Sequence, residues 1–274
     1  MKPIKFRAGL FKKVGEPTLA SYQACRELER SCRIAAGPHT FYFTLDVRPR
    51  PTPTVSWCHN TDLHFGITRM SFRDFIRLIN PEWLPIYLQY SNAANKILFG
   101  RMPDLIDRSI TYSVKVPLRQ MDGSYHWYNQ LVRPSRFDEQ GQMVAHLNAY
   151  HRVAPYNRLR PGQPIVTIDD RKQPELEREI QMAGSKALTG MLFNGLRPRE
   201  FEALYHYRRH DACFNSPLTS QQLADLMKIK IHGINKHNTR ILTAARIAFP
   251  AFRFATVTGL ASFLNMLFGP PGNH

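Results

Sequence analysis

The stretch LTSQQLADLMKIKIHGINKHNTRIL, Leu218 to Leu242, holds an apolar helical pattern, a break, and a second pattern loaded with Lys, Asn, His and Arg. Side chains of these types suit a long polyanion. The Asn amide can pair bidentately with adenine, Arg or Lys can pair with guanine, and both cations neutralise phosphates with salt-dependent affinity. After the Pro217-Leu218 corner, Thr219 or Ser220 can cap a helix whose Leu223, Ala224 and Met227 form a compact apolar stripe. Ala224 is small enough to let a second helix cross closely. Lys228–Lys230 reads as a short turn. The next helix is predicted from about Ile231 to Ala245, with Ile234, Ile241, Leu242 and Ala245 inward and Asn235, Lys236, Asn238 and Arg240 outward or sideways. Two helices about a tight turn have helix-turn-helix geometry, and the backbone amides that open the second helix can hold a phosphate. The same composition also suits the polar surface of an ordinary helical bundle.

The rest of the composition narrows the partners. Lys and Arg total 37 against 21 Asp and Glu, a formal net charge of +16. Such a surplus favours nucleic acid, an acidic protein or a membrane surface, or serves solubility alone. With 274 residues, 43% apolar and 21% charged, the chain suits two modest folded domains. The four cysteines form no CxxC pair and the histidines show no HExxH spacing, so no metal site is expected. No run of about 18 apolar residues occurs, so no membrane span is expected. The opening MKPIKFRAGLFKKVGEP is basic but lacks the apolar run of a signal peptide. A reducing cytoplasm is the expected location. No Ser/His/Asp or Cys/His set converges, and Asp169-Asp170 sits in a polar stretch, so the chain is not expected to be an enzyme.

Upstream, the pattern changes from helical to alternating. Leu19–Ile34 reads as an amphipathic helix with Leu19, Tyr22, Leu28 and Ile34 near one stripe, ended by Gly37-Pro38. Phe41–Val47 and Val55–Asn60 read as strands either side of a Pro-punctuated connection. Ser71 with Asp74 forms a capping box for a helix that stops at Asn80-Pro81, and a second helix is predicted from about Glu82 to Phe99. Ile110–Gln120, Tyr125–Phe137 and Met143–Val153 alternate, with turns at Asp122-Gly123 and Gly141: an antiparallel meander. The polar, Pro-rich PYNRLRPGQPIVTIDDRKQPE reads as a linker, followed by a helix from Glu175 to Leu192. Strands, helices and strands in this order make an α+β unit, with room for a pocket between sheet and helices.

Two families are called to mind by particular residues. Residues 40–153 resemble the PAS fold: VSWCHN and LHFGI after the first strand, Asn80-Pro81-Glu82, and Asp122, Gly123, Trp127, Asp138 and Gly141 in the closing hairpins. That resemblance implies a sensor or pairing domain. It assigns no cofactor: no Asn-Cys-Arg-like motif is present for a flavin, and Ser71–Phe99 has no His for a haem. The pocket is expected to hold a small apolar ligand or only side chains. Residues 196–269 resemble the LuxR-type (GerE) helix-turn-helix family through LRPREFEAL, QQLADLMKIKIHGINKHNTRIL and TGLASFLNMLFG. The chain departs from that family at Arg197, Gly233, Asn235, the insert HDACFNSP and the added IAFPAFRFA. The resemblance implies DNA-facing roles for Asn235, Lys236, His237 and Arg240, with Lys230 and His232 near the helix start, and Asn238 belongs to the same polar set. His237 reads equally as a core-edge histidine holding a carbonyl.

The expected organisation is an N-terminal helical extension (1–38), a PAS-like sensor domain (39–154), a linker with a helix (155–194) and an all-α helix-turn-helix domain (195–274). The expected function is sequence-specific binding of double-stranded DNA by a homodimeric transcription regulator, with a small-molecule ligand or dimer contact in the PAS-like part. The alternative is a ligand-binding or interaction module whose helical tail does not bind DNA.

Overall fold

The computed structural model describes residues 15–48, 53–101, 108–157, 164–214 and 217–268. The basic N-terminal stretch, most of the Pro-punctuated connection, the middle of the Pro-rich stretch after Pro155, and part of the HDACFNSP insert lie outside the described residues. The chain divides into two compact units, Met1–Met182 and Ala183–His274.

In the first unit, helix α1 (Leu19–Ala35) precedes strands β1 (Thr40–Asp46) and β2 (Thr54–His59). Helices α2 (Thr61–Phe65), α3 (Phe72–Leu78) and α4 (Leu84–Phe99) follow, and then strands β3 (Ile110–Arg119), β4 (Tyr125–Phe137), β5 (Met143–Pro155), β6 (Ile165–Ile168) and β7 (Arg171–Lys172). All pair antiparallel in one sheet of order β2-β1-β5-β4-β3-β6-β7. Flanked by its helices, this is a PAS-like α+β architecture. The two hairpin turns need backbone that a side chain disfavours: Gly123 has φ 84° and Gly141 φ 71°. Each is held by the aspartate the sequence places there. Asp122 Oδ1 accepts from the Ser124 amide at 2.9 Å. Asp138 Oδ1 accepts from the amides of Gln140 and Gln142 at 3.0 and 2.8 Å, and its Oδ2 from the Gly15 amide at 2.8 Å.

Three features differ from the sequence reading. The expected stripe on α1 faces water: Leu19 is 74% and Ile34 78% exposed, while Cys25 and Glu29 are buried. The outer face of the sheet explains this inversion. Arg136 Nη2 and Thr44 Oγ1 donate to Glu29 Oε1 at 3.2 and 2.8 Å, and Arg136 Nε donates to Cys25 Sγ at 3.3 Å. A buried guanidinium needs a buried carboxylate, so α1 turns its Glu inward. Second, the stretch read as a linker contributes β6 and β7, because Val166 and Ile168 extend the core beside β3. Third, α2 is too short to show a helical period; it starts after Asn60 in the left-handed region (φ 61°).

Helix α5 (Pro174–Phe193) spans the division between the units. The second unit continues with α6 (Pro198–Phe214), α7 (Ser220–Met227), α8 (Ile231–Ala248) and α9 (Val257–Phe268), an all-α helix-turn-helix arrangement. In it α6 packs on α8 and α9, and α7 on α8. Buried Val257, Leu260, Ala261, Leu264 and Leu267 give α9 its packed face. Thr219 is the N-cap of α7, with Gln222 closing a capping box. Leu223, Ala224 and Met227 are buried as expected, and on α8 the buried set is Ile234, Ile241, Ala244, Ala245 and Ala248, with Leu242 only half-buried.

The Asp138 bonds predict a specific cost. Asp138→Ala should lower the urea midpoint of the full chain, with a loss of about 1–3 kcal/mol, because three partly buried amides lose one shared acceptor together. A midpoint unchanged within error would show that the hairpin is held by its strands alone.

Candidate functional site

The turn between α7 and α8 sets how α8 is presented. Lys228 closes α7 in the left-handed region (φ 53°), and its amide bonds back to the carbonyls of Ala224 and Asp225. Ile229 is half-buried and its amide reaches the Ala224 carbonyl at 3.0 Å. Lys230 is the N-cap of α8 with no side-chain cap, and the first turn of α8 has no acidic residue. The start of the helix therefore keeps its positive end and adds Lys228 and Lys230, both exposed.

Glu200 fixes the rotation of α8. Its side chain is 2% exposed and sits at the third position of α6, where Oε2 accepts from the Arg197 amide at 2.7 Å. Oε1 accepts from Arg240 Nη1 at 3.1 Å, and His237 Nδ1 stands 3.5 Å away, at ion-pair distance. Burial alone would raise the Glu200 carboxyl, but the Arg197 amide and then Arg240 and His237 outweigh it and hold it below the usual carboxylate range. On the neighbouring edge, Asn238 Nδ2 donates to Tyr207 Oη at 3.0 Å and Ser220 Oγ at 3.3 Å, linking α8 to α6 and α7.

The seven residues singled out from sequence thus divide into two groups. His237, Asn238 and Arg240 are tied to their own unit. Lys230, His232, Asn235 and Lys236 are exposed. The exposed stripe continues through Thr239, Thr243 and Arg246, opposite the buried stripe. Sequence reasoning missed Lys228 and Thr239. The spacing from His232 to Asn235, Lys236 and Thr239 (i, i+3, i+4, i+7) could have found the latter. The whole of α8 carries no acidic residue.

The inner face of the sheet in the first unit is more polar than an apolar pocket needs. Phe41 stacks on Tyr150 at 4.7 Å with rings 3° apart, and Phe43 lies against Phe75 at 5.1 Å. Among these rings Gln130 Nε2 donates to Asn148 Oδ1 at 3.0 Å, and Asn148 Nδ2 is 3.0 Å from His146 Nδ1. Tyr112 Oη is buried and completes no hydrogen bond among the described residues, whereas the Tyr87 hydroxyl hydrogen-bonds the side chains of Tyr150 and Gln130. Burial raises the Tyr112 and Tyr150 hydroxyls and lowers His146 to about 4, so all three are neutral. On α2, which the sequence reading missed, His64 Nδ1 bonds Tyr128 Oη at 2.8 Å, and Tyr128 also accepts from Gln120 Nε2 at 2.6 Å. Burial first, then the charges of Arg152 and His39, lower His64 to about 4. Among the described residues, no group of three or more His, Cys, Asp or Glu could hold a metal ion, and no helix is long and apolar enough to cross a membrane.

No family model matches the chain, and no curated protein matches it. Similar solved structures include VqmA bound to DPO, at 13% identity over 85% of this chain and 94% of that one, with a TM-score of 0.31. A Vibrio cholerae VqmA dimer in the absence of target DNA gives 17% identity over 58% and 57% of the two chains, with a TM-score of 0.20. A Vibrio VqmA–ligand–DNA complex gives 16% over 89% and 88%, with a TM-score of 0.28. Likeness at this level leaves the assignment to the geometry of this chain. That geometry is plain: a PAS-like sheet unit followed by a helix-turn-helix.

Two substitutions test how the helix-turn-helix is held. A Cβ added at Gly233 would meet only Ile229 Cδ1, at 3.7 Å. Gly233→Ala should therefore raise the unfolding free energy by about 0.5–1 kcal/mol through helix propensity, read as a higher urea midpoint. Glu200→Gln should destabilise the chain by about 1–3 kcal/mol at neutral pH, since Arg240 loses a charged acceptor but is itself partly exposed. Because the folded Glu200 carboxyl is depressed, its contribution is complete above pH 4.5 and is lost as pH falls through the folded value. The gap between wild type and variant should therefore close on acidification below pH 4.5, measured by thermal melts across that range.

Proposed function

We propose that the chain is a sequence-specific DNA-binding transcription regulator that works in the cytoplasm as a homodimer. In this reading α8 lies in the major groove of double-stranded DNA. The observation that carries it is the outward stripe of α8: Lys230, His232, Asn235 and Lys236 are exposed, Lys228 stands beside them, and no acidic residue interrupts the helix. Lys and Arg there neutralise phosphates, and Asn235 offers an amide with the donor and acceptor that adenine requires. His237, Asn238 and Arg240 take a different part from the one their composition invites. Asn238 and Arg240 fasten α8 to α6 and α7, and Arg240 still keeps 39% of its side chain exposed.

The sheet unit, expected over residues 39–154 and extended by β6 and β7, supplies the control. Tyr112 Oη, buried without a hydrogen bond among the described residues, supports a small ligand on the inner face. The reading assigns no catalytic role. The second reading, a ligand-binding module with a helical tail that ignores DNA, draws on the same intramolecular bonds of Arg240 and Asn238.

Retention on duplex DNA at rising salt separates the two. A regulator should bind random-sequence duplex in dilute buffer and lose affinity steeply with salt. Lys230→Ala and Lys236→Ala should each reduce the salt slope by about 1 and weaken all sequences alike. A chain that leaves duplexes unbound at low ionic strength belongs to the second reading.

A further inference from the structure

Four exposed residues on α8, His232, Asn235, Lys236 and Thr239, stand at i, i+3, i+4 and i+7. That spacing puts one helix face against a groove floor, and the early turns of a recognition helix are the ones that reach base edges. Thr239 differs from the other three in what it can offer. Its Oγ1 donates to the Asn235 carbonyl at 3.0 Å, one turn back, so the hydroxyl hydrogen is already committed. A β-branched side chain held by that bond has few rotamers left, so its methyl group is held in place on an exposed residue. Its sequence neighbours Asn238 and Arg240 are engaged by Tyr207, Ser220 and Glu200 and do not compete for the position.

We propose that Thr239 is a specificity-determining residue whose methyl group packs on the C5-methyl of a thymine. The inference rests on the DNA-binding reading above. The thymine methyl is the one apolar group that the major groove displays, and a Thr methyl is among the side-chain groups that contact it. Four residues advance the helix by about 6 Å, so the thymine lies about two base pairs from the pair that Asn235 faces. If Asn235 takes an adenine there, the operator half-site contains two A·T pairs at that separation, with their strands fixed by the helix direction.

The experiment uses the full chain. Bound duplexes are selected from a random library, and the enriched site is resynthesised with each thymine replaced singly by deoxyuridine, which lacks only the methyl. At one position the wild type should bind the deoxyuridine duplex about three- to five-fold more weakly, the contribution of one buried methyl-sized group. Thr239→Ser, which keeps the hydroxyl and its bond to Asn235, should bind thymine and deoxyuridine duplexes equally. Thr239→Val, which keeps a methyl and lacks the hydroxyl, should retain the discrimination. Tight binding of the selected site with no deoxyuridine effect at any position overturns the role of Thr239 and leaves the DNA reading standing. So does a serine variant that still discriminates. Failure of the wild type to enrich any duplex in dilute buffer overturns both.

Discussion

A single carboxylate decides which side of α8 meets the outside. Glu200 is buried at the start of α6, where the Arg197 amide keeps it ionised, and it draws Arg240 and His237 inward. A buried anion must be matched, and Arg240 matches it from α8, with His237 Nδ1 3.5 Å away on the same edge. Asn238 fastens the adjacent edge to α6 and α7. With those edges fixed and Ile234, Ile241 and Ala245 in the core, the rotation of α8 is set. Lys230, His232, Asn235, Lys236, Thr239, Thr243 and Arg246 remain exposed. The polar residues of the helix thus fall in two sets, and those that hold the frame are chemically the same types as those left exposed.

The sheet unit uses the same logic in a different medium. Its outer face buries a charge pair, Arg136 with Glu29, under α1; Arg136 also lies over the Tyr22 ring at 5.0 Å. Its inner face buries only neutral polar groups among stacked rings. The hydrogen-bonded row from Gln130 through Asn148 to His146 crosses β4 and β5, and the buried Tyr112 hydroxyl completes no hydrogen bond among the described residues. Each such group costs free energy unless water or a ligand satisfies it.

Much of this was legible from the residues. The three meander strands follow from strict alternation, the hairpin turns from Asp122-Gly123 and Gly141, and the caps from Ser71 and Thr219, because each depends on neighbours within a few positions. The helix-turn-helix was legible from Leu223, Ala224, Met227 and Ile234. What escaped depends on contacts across long stretches of chain. Nothing near Glu29 in sequence announces that Arg136, 107 positions away, will bury it. The apolar stripe expected on α1 lost to that pairing. Asn238 and Arg240 read as outward or sideways, and only their partners on another helix, Tyr207 and Glu200, decide for sideways. Strand β6 hid in a Pro-rich stretch because only pairing with β3 makes four residues a strand.

The neutral interior has a consequence for its response to acidity. His64 and His146 take up a proton only as pH falls to about 4, and burial keeps the tyrosine hydroxyls protonated well into the alkaline range. Between those limits these groups keep one charge state. A ligand of the kind proposed for that face would meet them as neutral donors and acceptors, distinguished by shape and hydrogen bonds and not by a change in acidity.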